Sequence, residues 1–195
     1  MSHQIPLGKE KFTLVDGIDF DRLKNIPWFL SGTGYAVGFM SVGSRPRLVY
    51  LHRFLMNAQP GQLVDHINGD ALDNRRENLR LATARQNVQN KCVSPLSATG
   101  LKGVGWHKRR RKFHARIQLQ GVRVHLGYFE DARSAALAYD AAARMVFGSF
   151  ARCNYPDEAT PRLVALQVAQ RLKRHGLRAP AEYVEVDSEV AAVRD

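Results

Sequence analysis

The apolar positions of this chain fall into short runs separated by polar turns, and the period of those runs changes along its length. Over residues 5–50 the runs are brief. Ile5-Pro6-Leu7 and Lys11-Phe12-Thr13-Leu14-Val15 read as strands, and Asp16-Gly17 reads as a turn. Asp19 to Asn25 is polar with Phe20 and Leu23 three apart, which predicts a short helix. Trp28, Phe29 and Leu30 are expected in the core. A turn at Gly32–Gly34 precedes expected strands at Tyr35–Met40 and Arg47–Tyr50, and a helix at His52–Asn57 closes at Pro60-Gly61. This is the pattern of a small antiparallel scaffold. Next comes a strand through Leu63-Val64-Asp65-His66, then a polar loop with Gly69. Thr83-Ala84-Arg85-Gln86 is a capping box, opening a helix that carries Asn87 in its first turn.

Residues 92–100 are small and polar with Pro95 and Gly100, the composition of a linker. Beyond them the period becomes two. One strand, Lys102–Lys108, sets Val104 and Trp106 against Gly105 and His107. After the basic turn Arg109-Arg110-Arg111-Lys112, a second strand sets Phe113, Ala115, Ile117 and Leu119 against His114, Arg116, Gln118 and Gln120. Past Gly121 a third sets Val122, Val124 and Leu126 against Arg123 and His125. Asp131 then caps a helix that ends before Gly148, with Ala135, Ala138, Tyr139, Ala142, Ala143 and Val146 as its apolar stripe. Thr160-Pro161 reads as N-cap and N1 of a last helix running to Arg174 and stopped by Gly176, and residues 177–195 read as a mobile, mildly acidic tail. The expected class is α+β: a strand–strand–helix core in residues 1–92, a linker at 93–100, a three-stranded antiparallel sheet packed on one helix at 101–156, and a C-terminal helix and tail at 157–195.

Composition changes this picture in one respect. The chain has 195 residues, 45% of them hydrophobic, enough for one or two cores. Its formal charge is +11, which favours a polyanionic partner, nucleic acid before membrane. The charge is uneven. Lys and Arg exceed Asp and Glu by 12 to 8 over residues 1–92 and by 11 to 3 over residues 93–156, whereas residues 157–195 carry 6 against 7. The basic field thus belongs to the middle of the chain. Cys92 and Cys153 form neither a metal-spaced pair nor a disulfide framework, which fits a reducing cytoplasmic setting. No apolar run approaches the ~20 residues of a membrane span, and no signal-peptide pattern opens the chain.

The candidate chemistry lies in the stretch from Leu63 to Asn87. A carboxylate, an imidazole and several amides converge between a strand, a loop and a helix, a set able to hold one hard divalent cation and activate one water. Asp65-His66-Ile67-Asn68-Gly69, Leu72-Asp73-Asn74-Arg75, Glu77-Asn78-Leu79-Arg80 and Asn87, with Gly34-Tyr35-Ala36 and Leu51-His52-Arg53 upstream, resemble the ββα-metal core of HNH nucleases, closest to the phage homing-endonuclease branch. That resemblance implies His66 as general base, Asp65 and Asn87 as ligands of one Mg²⁺ or Mn²⁺ per chain, and Asn78 as the residue that ties the loop and aims the imidazole. Arg75, Arg76, Arg80 and Arg85 are candidate phosphate contacts. His52 stays unassigned, because helix capping or packing accounts for it as well as a place at the site does.

The second module has a resemblance of its own. Lys102-Gly103-Val104, Phe113-His114-Ala115-Arg116-Ile117, Val122 through Phe129, Ala138-Tyr139-Asp140, Ala142-Ala143, Gly148, Ala151 and Asn154-Tyr155-Pro156 are similar to the plant APETALA2-type, ethylene-response-factor-like DNA-binding domain. It implies contacts to duplex DNA from Lys102, His107, Lys112, Arg116, Gln118, Arg123 and His125, with Arg110 in the basic turn beside them. Gly105 and His125 stand where the plant pattern has Arg and Trp, so its target sequence is not carried over. The combined expectation is a metal-dependent, site-preferring DNA endonuclease of a bacterial or phage-infected cell, nucleoid-associated, working as monomer or homodimer on double-stranded DNA and not on membranes. The alternative is a non-catalytic DNA-binding regulator with a decayed nuclease core. An RNA-directed protein would need exposed stacking aromatics for single strands, which the pattern lacks.

Overall fold

The structure, a computed structural model, describes residues 1–42, 45–93, 97–119 and 121–177. Gln120, residues 94–96 of the expected linker and the tail beyond residue 177 lie outside the described residues. The chain divides into two compact units, Met1–Asn90 and Lys91–Asp195. Each mixes helix and strand, so the class is α+β.

In the first unit β1 (Ser2–Pro6) and β2 (Phe12–Asp16) pair antiparallel. Asp16-Gly17, expected as a turn, instead starts α1 (Gly17–Leu23), with Asp16 as its extended N-cap residue. Asp19 in the first turn suits the positive end of the helix, and Leu23 is buried against the core. A three-stranded antiparallel sheet follows in the order β3 (Trp28–Leu30), β4 (Ala36–Val42), β5 (Arg45–Tyr50). Of the three residues expected in the core here, only Trp28 is buried; Phe29 and Leu30 are 38% and 36% exposed. β3 is an edge strand whose alternation sends Trp28 inward and Phe29 to the other face, beside the Phe39 ring. The helix α2 (Leu51–Leu55) leaves β5 directly and buries Leu51, His52 and Leu55. Then β6 (Leu63–His66) and β7 (Leu79–Ala82) form a hairpin around a long loop that ends in a 3₁₀ turn at Arg76–Asn78. The helix α3 (Ala84–Gln89) is opened by the full reciprocal capping box of Thr83 and Gln86. Leu79 joins Ile5, Val15, Leu23, Trp28 and Leu51 in one core, which seats the β6–β7 hairpin on the scaffold.

In the second unit β8 (Val104–His107), β9 (Lys112–Leu119) and β10 (Val122–Phe129) form an antiparallel sheet with β9 in the middle. The helix α4 (Ala132–Phe147), capped by the Asp131 carboxylate on the Ser134 amide, covers one sheet face. Its alanines pack with Ala115, Ile117, Val124 and Leu126 in one core. β10 runs three residues further than the sequence pattern ends, through a bulge between His125 and Gly127. The last helix, α5 (Arg162–Arg174), has Pro161 rather than Thr160 at its cap position, and Thr160 Oγ1 accepts from Arg144 instead. Its Val168 and Leu172 enter the same core, so this helix is part of the unit and not an appendage.

Candidate active site and nucleic-acid face

Asp65 and His66 end β6 side by side, 5% and 6% exposed. The His66 Nε2 lies 3.3 Å from Asn74 Oδ1. The Asn74 amide nitrogen donates to Thr13 Oγ1 at 2.8 Å and to the Ala71 carbonyl at 3.3 Å. Its oxygen therefore faces the imidazole, and His66 Nε2 is the protonated nitrogen. That leaves Nδ1 as a lone-pair acceptor. Thr13 Oγ1 in turn donates to the Leu72 carbonyl at 2.8 Å, so the chain Leu72–Thr13–Asn74–His66 sets the tautomer. β2 clamps the loop that carries Asn74: the Leu14 amide donates to Leu72 O and the Asn74 amide to Leu14 O, both at 2.8 Å. Burial lowers the His66 pKa below its ordinary value, opposed by the Asn74 bond and the nearby carboxylates. The imidazole is thereby kept neutral at neutral pH.

The loop between β6 and β7 is closed by its own polar side chains. Asn78 Oδ1 accepts from the Asn68 amide at 2.9 Å while its Nδ2 donates to the Asp73 carbonyl at 2.7 Å. Asp73 receives Asn68 Nδ2 at 2.8 Å and a two-pronged approach from Arg75 at 2.8 and 2.7 Å. The Arg75 guanidinium holds the Asp73 carboxyl below the usual range.

Asp65 is fixed from two elements. Arg80 of β7 reaches its Oδ2 through Nε at 2.8 Å and Nη2 at 2.7 Å. Asn90, the C-cap of α3, donates through Nδ2 to both carboxylate oxygens at 3.1 Å and to the His66 carbonyl at 2.8 Å. These bonds seat one face of α3 on β6. Asn87, three residues earlier, shares that face. Among the described residues no group of three or more His, Cys, Asp and Glu side chains forms a metal cage. The donors that Asp65 and Asn87 offer are hard oxygens, and the one carboxylate charge among them is shared with the Arg80 guanidinium. They fit a divalent cation that keeps most of its waters.

The arginines expected on phosphates have partners within the unit. Arg75 pairs with Asp73 and Glu77, Arg76 with Asp19, and Arg80 with Asp65. Arg80 is correspondingly half-buried, its guanidinium turned onto the Asp65 carboxylate. Arg85 is exposed on α3. Four further residues carry the site that the sequence pattern leaves without a role: Thr13, Asn74, Asn90 and His52. A second asparagine three residues after Asn87 is the one signal that points to Asn90. Thr13 lies 61 positions from Asn74 and leaves no local signal. His52 turns out to be buried, its ring centroid 5.2 Å from that of His66.

On the second unit the sheet face turned away from α4 carries His107, His114, Arg116, Gln118, Arg123 and His125, with His125 opposite Arg116 and Arg123 opposite Gln118. Gly105 gives the His114 ring its place: a Cβ there would stand 2.8 Å from His114 Nε2. Arg110 lies over the Tyr128 ring at 4.7 Å, and Tyr128 is edge-on to both His107 and His125. Lys112 pairs with Glu130 at 2.6 Å. Lys102 stands apart from this face. It precedes β8, its ammonium donates to the Lys91 carbonyl at 2.8 Å, and burial lowers its pKa to about 8.

Comparison with known proteins bears on the first unit above all. Residues 49–89 match the family model described as HNH endonuclease. The chain is 29% identical over 156 residues to the protein named Uncharacterized HNH endonuclease L560 of Acanthamoeba polyphaga mimivirus, covering 77% of this chain and 78% of that one. A match of that extent is longer than either unit, so it takes in part of both. Protein 3.8 of Escherichia phage T7 is 34% identical over 61 residues, 31% of this chain and 50% of its own length. The protein named Uncharacterized HNH endonuclease L247 of the same mimivirus is 37% identical over 102 residues, 45% of this chain and 25% of its own length. No solved structure matches the chain. The span that builds β6, its loop, β7 and α3 is thus the part of the chain that matches the HNH endonuclease family model.

Proposed function

We propose that this protein is a divalent-metal-dependent DNA endonuclease in which His66 is the general base and the open sheet of the second unit binds the duplex. One observation carries the reading: the buried His66 imidazole, held below its ordinary pKa, meets the Asn74 amide oxygen at Nε2, so that Nδ1 is the nitrogen left as acceptor. His66 Nδ1 takes a proton from the attacking water. Asp65 and Asn87 would hold the cation, and Asn90 and Arg80 hold Asp65. When bound, Mg²⁺ or Mn²⁺ supplies Lewis-acid stabilisation of the scissile phosphate and of the departing 3′ oxygen. Asn78 keeps the loop closed so that Asn74 stays on the imidazole.

Among the described residues of β8, β9 and β10 that face away from α4 none is acidic, and their cations and amides suit the phosphates and base edges of a major groove. Arg116, Gln118, Arg123 and His107 are the leading contacts, with Arg110 and His125 beside them. Lys112 and Lys102 are secondary on account of their own partners. One site per chain implies one strand cut per encounter.

The test is supercoiled-plasmid cleavage in Mg²⁺ and in Mn²⁺, with EDTA and His66→Ala protein alongside. The expected result is metal-dependent nicking that falls at least about 10²-fold in His66→Ala, with duplex affinity retained. Binding without any metal-dependent cleavage would favour the regulator with a decayed core.

A further inference from the structure

Four aromatic rings from distant parts of the first unit, Tyr35, Tyr50, His52 and His66, form one cluster, in which His52 and Tyr35 reach His66. Tyr35 precedes β4, Tyr50 ends β5, and His52 lies in α2. The His52 ring is edge-on to His66, 5.2 Å between centroids at 70°, and Tyr35 is 6.0 Å from His66. Tyr35 and Tyr50 flank His52 at 5.0 and 5.6 Å. His52 is 8% exposed, and its Nδ1 is buried with no hydrogen-bond partner among the described residues. A buried nitrogen left unpaired is costly, and a role confined to packing is better served by phenylalanine.

On the reading given above, we propose that His52 is a positioning residue for the His66 base: its ring holds the plane of the His66 imidazole, and its Nδ1 is a polar group reserved for a partner that arrives with the substrate. His66 is tied to Asn74 through a single 3.3 Å contact at Nε2. One contact at one ring atom leaves rotation about the Cβ–Cγ bond open. The ring of His52 on one side and that of Tyr35 on another remove that freedom. His52 does so without adding charge, since burial keeps it neutral. A cation here would oppose protonation of the neighbouring base.

Three variants test this in the full chain. His52→Phe keeps the ring and removes both nitrogens, His52→Asn restores a polar atom near the Nδ1 position, and His52→Ala removes the clamp. With nicking as readout, His52→Phe is expected to lower kcat about 10- to 100-fold, as losses of orienting partners do. KM and duplex affinity should stay within about twofold, and His52→Asn should recover most of the loss. In metal-free protein, nitrogen-detected NMR of the histidine side chains should show one Nε2-protonated His66 tautomer in the wild type and averaging in His52→Ala. Wild-type kcat in folded His52→Phe, or an unchanged His66 signal in His52→Ala, would overturn the proposal. A wild-type protein that never nicks would refute the nuclease reading instead, and the NMR comparison would still decide the role of His52.

Discussion

At the residue scale, the Asn74 amide sets which nitrogen of His66 is free. Asn74→Ala should remove the acceptor that keeps the proton on Nε2, lowering the nicking rate about 10- to 100-fold at unchanged duplex affinity. Thr13→Val should leave Asn74 Nδ2 short of its closest acceptor and cost about 1–3 kcal/mol of stability by chemical denaturation. His52 makes a separate statement about pH. Burial lowers its pKa from 6.5 to about 4. The unfolded chain therefore binds more protons than the folded one between those values, and stability rises with pH across the window. The contribution is complete above pH 6.5 and is lost progressively as the pH falls toward 4, by about 3 kcal/mol at most. Urea midpoints measured across that range should fall in the wild type and flatten in His52→Phe. An equal slope in both would assign the acid sensitivity to other groups.

At the scale of elements, the bulge in β10 decides which side chains share the open sheet face. An uninterrupted alternation would put Gly127 beside His125 and send Tyr128 toward α4. Instead the register shifts between His125 and Gly127, so Tyr128 pairs with His114 and joins the face of His107 and His125. The bulge depends on glycine: Gly127 has φ +138°, and a Cβ there would meet the Arg171 guanidinium that donates to the Leu126 carbonyl. Gly127→Ala should cost about 1–3 kcal/mol in thermal or urea unfolding of the second unit and weaken duplex binding more than any loss of folded protein explains. The helix side depends on a buried carboxylate. Asp140, fully buried, accepts from the Asn154 amide, Asn154 Nδ2 and the Tyr155 amide at 2.8–3.0 Å, tying the segment after α4 back to it.

At the scale of the whole molecule, the proposed function puts cutting and holding in different units; the match to the mimivirus HNH protein extends across parts of both. The two roles should separate by mutation. Arg116→Ala with Arg123→Ala should weaken duplex binding by about 1–3 kcal/mol per lost base contact, or lower the salt slope by about one for each lost phosphate contact. Nicking at saturating DNA should persist. His66→Ala should do the reverse. Unchanged affinity and salt dependence in the arginine double variant would remove the sheet from the account of binding.

The local elements were legible because each is specified by neighbours in the chain. The Thr83–Gln86 capping box, the Asp131 cap, the alanine stripe of α4 and the period-two strands depend on contacts a few residues apart, and the Asp65-His66 strand end with Asn78 and Asn87 is a motif of spacing. What only the tertiary structure decided depends on contacts between distant segments. Thr13 meets Asn74 across 61 positions, His52 meets His66 across the seat of α2, and Arg80 and Asn90 converge on Asp65 from β7 and α3. The same holds for α5, whose faint stripe in the sequence becomes a core face once α4 supplies its partner. A side chain's periodicity records which way it points along its own element. Which group it finds there, and therefore whether an arginine is a phosphate contact or a carboxylate clamp, is settled only when the elements pack.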